Sequence, residues 1–194
     1  MREFGTVSTE LYDDAVKVLT GWTATSEQAG DARRRTLALL GAGPVAMTRA
    51  HRAGHVTAST LIVAEDRRIL LCLHGRLGMW MQVGGHCEAG DATLAAAALR
   101  EATEESGIDG LKLDPEPIDL HIHPVRCKPA DGEPAGPTHH FDVRFVAVAP
   151  AGAVERVSDE SAALGWFTPE TLPSPLADGV EGQFGPALSR LVQM

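Results

Sequence analysis

The chain predicts an α/β fold preceded by an N-terminal helical extension. Three observations carry the prediction. Over residues 1–45 apolar residues recur at helical spacing. From Gly54 onward, runs rich in Val, Ile, Leu and Thr alternate with turn-forming stretches. Within this β-rich part a glycine loop, 84–91, feeds a helix carrying Glu101, Glu104 and Glu105.

Taken in order, Ser8 caps a first helix whose Leu11, Ala15, Val18, Leu19 and Trp22 form one stripe, broken over 21–25. A second helix starts near Ser26, groups Ala29, Ala32, Thr36, Leu37 and Leu40, and stops over 41–44. Its Arg33, Arg34 and Arg35 read as a solvated face, with a phosphate grip as the other reading. The expected organisation is an extension over 1–45 and a main domain over 46–194. Residues 56–64 and 69–73 read as strands joined by a hairpin turn at 65–68. Asp91 reads as the N-cap and Gly107 as the C-cap of the acidic helix, whose other face is small and apolar (Leu94, Ala95, Ala98, Leu99, Ala102). Residues 117–125 read as a strand with His121 and His123 pointing the same way. Pro129, Pro134 and Pro137 mark 128–137 as a loop, 138–148 reads as a strand, and a last helix is expected near 186–192.

Glutamates at i, i+3 and i+4 share one side of a helix and repel, unless a cation neutralises them. A hard divalent ion, Mg²⁺ or Mn²⁺, suits such an oxygen set. Arg100 can hold one carboxylate by a two-pronged hydrogen bond. The ordinary alternative is an acidic solvent face. The net charge of −9, from 26 acidic and 17 basic side chains, disfavours nucleic acid as a partner. No window is apolar enough to span a membrane. Three scattered cysteines without a C-x-x-C, and a start without a secretory apolar core, lead to the expectation of a reducing cytoplasm.

The stretch from Gly85 to Ile108 resembles the signature of the Nudix (MutT-like) hydrolases, G-x5-E-x7-R-E-U-x-E-E-x-G-U, where U is a bulky aliphatic residue. Arg100, Glu101, Glu104, Glu105, Gly107 and Ile108 match, with Ala102 at the aliphatic position. The first half departs. Asp91 stands where the pattern has Glu, and eight residues rather than seven separate it from Arg100. The extra residue is placed in the turn before the helix. Val83 also replaces the proline common in the family before the glycine pair.

The resemblance implies the Nudix α/β/α sandwich, a mixed β-sheet between helices, and metal-dependent hydrolysis of a phosphoanhydride in a nucleoside diphosphate linked to another group. It makes Glu101, Glu104 and Glu105 ligands of Mg²⁺ or Mn²⁺, with the Gly85 carbonyl as a further donor. The base is sought among Glu104, Glu105 and Glu160, and Arg100 orients a carboxylate. His86, Trp80 and His140 are the substrate-binding candidates, though Trp80 reads equally as a buried anchor. Alternation sends His139 and His140 to opposite faces, and the other histidines (His74, His121, His123) read as polar sheet positions or as ligands of a borderline metal. Pro124, 16 residues beyond Ile108, sits near where ADP-ribose-cleaving members carry a proline. ADP-ribose or a nucleotide sugar is thereby favoured over a nucleoside triphosphate. The rival reading is a silent, Nudix-like sensor of a nucleotide metabolite. A homodimer through the N-terminal helices is one expectation; a lid or a packing role is another.

Overall fold

The computed structural model describes residues 8–129, 134–158 and 161–191. Its elements are α1 (Thr9–Gly21), α2 (Glu27–Leu40), a 3-10 turn at Pro44–Met47, β1 (His55–Val63), β2 (Ile69–His74), β3 (Trp80–Met81), β4 (Val83–His86), α3 (Leu94–Ser106), β5 (Lys112–Leu113), β6 (Asp119–Cys127), β7 (Gly136–Val148), β8 (Ser161–Phe167) and α4 (Phe184–Arg190). The strands hydrogen-bond in the order β3-β2-β1-β7-β5, with β4 joined to β1, β6 to β7 and β8 to β2. The α/β class with a mixed sheet and flanking helices is the one the sequence predicts.

The chain forms two compact units. One holds residues up to Ala58, Gly85–Ala97 and Asp119–Val143. In it, Ser8 and Ser26 cap α1 and α2 by accepting from the amides of Leu11 (3.2 Å) and Ala29 (3.1 Å), as expected. The buried residues are those of the expected stripes: Leu11, Ala15 and Leu19 in α1 with Trp22 just after it, and Ala29, Ala32, Thr36 and Leu40 in α2. The three arginines divide. Arg34 and Arg35 pair with Asp31 on the surface, whereas Arg33 donates to the Leu19 and Thr20 carbonyls at 2.6 Å each. Arg33 thus satisfies carbonyls that the end of α1 leaves open.

The other unit holds Ser59–Gly84, Ala98–Ile118 and Arg144 onward. Period two decides its packing. Leu61, Val63, Ile69 and Leu71 cluster with Phe184 and Ala187 of α4, while Ile62, Leu70 and Cys72 cluster with Ala102 of α3. The paired strands β1 and β2 are therefore covered by a helix on each face, which explains why they read as continuous apolar runs. β2 and β8 pair antiparallel from Ile69–Phe167 to Leu73–Ala163, with a register shift at Leu73/His74. Arg144, 2% exposed, donates from Nη1 to the Gly179 carbonyl at 2.8 Å.

Two expectations are corrected. β7 begins at Gly136, so the expected loop over 128–137 ends earlier, and a strand edge tolerates Pro137. Asp91 does not cap α3. Its Oδ2 accepts the Glu88 amide at 2.7 Å to close the preceding turn, and Thr93 Oγ1 accepts the Ala96 amide at 3.0 Å, the contact of an N-cap. The C-terminal expectation holds. Gly107 has φ +65°, and its amide donates to the Thr103 carbonyl at 2.9 Å.

Candidate functional site

The box begins in a turn fixed by α1. Asp14 Oδ2 accepts the Leu94 amide at 2.8 Å, and Ser8 Oγ donates to the Asp91 carbonyl at 3.4 Å. A carboxylate at the first residue of a helix suits the positive end of its dipole. Asp14 therefore supplies, from α1, the carboxylate at the start of α3 that was expected of Asp91, beside the cap contact made by Thr93. This is a concrete role for α1 that the sequence left open among dimer contact, lid and packing.

Further along α3, Arg100 Nη1 donates to Glu101 Oε1 at 3.0 Å and to Glu104 Oε2 at 3.2 Å. One guanidinium so holds two carboxylates one helical turn apart, which offsets the repulsion their spacing creates. Glu105 is fixed differently: its Oε2 accepts the Gly84 amide at 2.9 Å. Burial, with the Glu105 charge adding to it, raises the Cys72 thiol to about 12, so this thiol stays protonated. Glu104 is the outward member, its side chain 62% exposed against 15% for Glu101. The donors are all carboxylate oxygens on one helix, with Glu101 and Glu105 half-buried and Glu104 open to solvent. That arrangement fits a hard divalent ion, which takes oxygen ligands and keeps part of its water.

Trp80 is half-buried and meets Phe167 edge-on, ring centroids 5.1 Å apart, in the cluster beneath α4. Gly85 and His86 end β4. Glu160 lies outside the described residues.

The histidines assemble although no spacing in the sequence signals it. His55 Nε2 and His86 Nε2 are 3.1 Å apart, and Cys127 Sγ is 3.5 Å from His86 Nε2. The His140 ring stands edge-on to those of His55 (5.0 Å) and His86 (4.9 Å). His123 meets His140 at 5.4 Å and stacks on His121 at 5.5 Å, so the two histidines of β6 do share a face. His139 is exposed, as alternation required. Arg49 Nη2 donates to His86 Nδ1 at 3.0 Å. Burial foremost, with Arg49 and the neighbouring rings adding to it, lowers His55 to about 4, His140 to about 3 and His86 to about 2. Sequence reasoning missed His55, Arg49 and Cys127 here. They come from separate elements, and only a strand-by-strand pairing of the sheet could have joined them.

The NUDIX domain model matches residues 54–188. A "MutT-like protein" of Streptomyces ambofaciens is 28% identical over 123 residues, 63% of this chain and 70% of that protein. Among solved structures, a MutT NUDIX hydrolase from Burkholderia pseudomallei is 27% identical with a TM-score of 0.51, covering 69% of this chain and 97% of its own. A NUDIX-family hydrolase from Clostridium perfringens, 23% identical, superposes with a TM-score of 0.52 over 71% of this chain and 97% of its own. No helix among the described residues is long and apolar enough to cross a membrane. With a family model covering well over half its length, and with the arginine and three glutamates of the signature in place on α3, the chain belongs to the NUDIX family as a Nudix pyrophosphohydrolase.

Proposed function

We propose that this protein hydrolyses a phosphoanhydride in a nucleoside diphosphate joined to another group, of the ADP-ribose or nucleotide-sugar kind, with Glu101, Glu104 and Glu105 holding Mg²⁺ or Mn²⁺. The observation that supports this most is the fixed carboxylate set of α3, two members held by Arg100 and the third by the Gly84 amide. A diphosphate bridge carries several negative charges, and water cannot reach phosphorus until they are offset. When bound, a divalent ion supplies that neutralisation, together with activation and orientation of water.

The chain's own residues supply the rest. Arg100 and the Gly84 amide keep the carboxylates in place before substrate arrives, so little reorganisation is needed during the reaction. Glu104 faces solvent, which leaves it able to accept a proton from the attacking water; Glu105 and Glu160 are the other candidates for that role. The preference for a sugar-linked diphosphate rests on the place of Pro124, in β6.

The test is release of phosphate or nucleoside monophosphate from ADP-ribose, nucleotide sugars, dinucleotides and nucleoside triphosphates with Mg²⁺ or Mn²⁺. The intact protein should turn over one sugar-linked class, and the Glu104→Gln/Glu105→Gln double variant should not. Metal-dependent binding of one of these compounds without turnover would replace the hydrolase reading by the sensor.

A further inference from the structure

Side chains from four strands converge in the first unit with donor atoms that no carboxylate chemistry uses. His55 opens β1, His86 closes β4, Cys127 closes β6 and His140 lies in β7; each offers one nitrogen or sulfur, all within 4.8 Å of one another. We propose that His55, His86, Cys127 and His140 form a binding site for one borderline divalent metal ion, zinc foremost.

The separations support a single shared ion. Zinc bonds of about 2.0 Å to nitrogen and about 2.3 Å to sulfur place tetrahedral ligands about 3.3 Å apart for two nitrogens and about 3.5 Å for nitrogen and sulfur. The His55–His86 nitrogens at 3.1 Å and the His86–Cys127 pair at 3.5 Å lie close to those values. No pair is more than 4.8 Å apart, so a side-chain movement of at most about 1.5 Å brings the set to those separations. The Nε2 of His140 is buried with no hydrogen-bond partner, which is costly for a ring nitrogen unless something binds there. Three imidazoles and a thiolate suit zinc and its neighbours and suit Mg²⁺ poorly, because magnesium prefers oxygen and its own water.

Charge decides what else must happen. Arg49 donates to His86 Nδ1, which assigns the His86 proton to Nε2 and lets it face the His55 Nε2 lone pair. Ligation at Nε2 requires that proton to leave. The ring is reprotonated at Nδ1, and Arg49 has to turn away from it. The Cys127 thiol loses its proton to solvent, so binding releases one proton in total and changes no oxidation state. Asp142, buried and accepting from Thr57 Oγ1 at 3.1 Å, lies within electrostatic reach of His140 and offsets part of the added charge.

The experiment is titration of metal-free protein with Co²⁺ in excess Mg²⁺, followed by absorption. The expected result is one equivalent bound, with the strong visible bands of four-coordinate cobalt and a thiolate-to-cobalt charge-transfer band. That band should vanish in Cys127→Ser and persist in Cys87→Ser and in Glu104→Gln/Glu105→Gln. His140→Gln should weaken binding about 10- to 100-fold, and Arg49→Met should tighten it by removing a competing cation. Cys127 and His140 are only half-buried, and circular dichroism of each variant checks that the fold persists. A spectrum of the intact protein without a charge-transfer band overturns the proposal whatever the variants do. So does a band that survives Cys127→Ser, or an affinity untouched by His140→Gln.

Discussion

The acidic turns of α3 and the histidine cluster use opposite means to hold groups that would otherwise be unfavourable together. On α3 the carboxylates are close in sequence, partly exposed and stabilised by Arg100 and a backbone amide. In the cluster the rings are distant in sequence, half-buried or buried, and kept neutral chiefly by that burial. One region manages charge by pairing it, the other by excluding it. The difference sets their preferences, since paired carboxylates in contact with water favour a hard ion and neutral nitrogens with a thiol favour a softer one.

The largest effect should come from the exposed region. Losing both carboxylates in Glu104→Gln/Glu105→Gln is expected to lower kcat by about 1,000-fold, since a metal's charge stabilisation is worth several kcal/mol. A fall of less than about tenfold would mean that these groups do not hold the ion.

Next comes the cluster. His55, His86 and His140 all have folded values below the ordinary 6.5. Between the two values the unfolded chain binds more protons, so stability falls as pH falls. The contribution is complete above about pH 6.5 and should be lost progressively as pH falls through about 4 toward about 2, by a few kcal/mol in the metal-free protein. Arg49, His123 and the His51 ring charge add to the lowering of these values, whereas Asp142 and the His51 backbone hydrogen bond oppose it. Denaturant midpoints that stay level across that window would contradict the neutral, buried assignment.

Smaller effects sharpen the contrast at the two ends of α3. Gly107→Ala places a Cβ 2.7 Å from the Arg156 Cβ at a positive φ, and should cost about 1–3 kcal/mol in unfolding free energy. Asp91→Ala removes the acceptor of the Glu88 amide and should cost about 1 kcal/mol. If Asp91→Ala proved the costlier of the two, the anchoring assigned to Asp14 and Thr93 would be wrong.

These elements also show what the sequence could disclose. The caps Ser8 and Ser26, the stripes of α1 and α2, and the trio Glu101, Glu104 and Glu105 were legible because each depends on residues within a few positions of one another. Asp91 was misread because the acid that meets the first amide of α3 comes from Asp14, 80 residues earlier. The histidine cluster was only half visible. His86 and His140 stood out, but His55 is 31 residues from His86, and Cys127 joins them only once β4, β6 and β7 have taken their places.

The assignment of a hard-ion site to α3 is tested most directly by Mn²⁺ uptake, read from the electron paramagnetic resonance of free Mn²⁺, in zinc-loaded protein. The signal should fall as intact protein is added and should stay unchanged with Glu104→Gln/Glu105→Gln. Equal uptake by both proteins would contradict it and place the hard-ion site away from these glutamates.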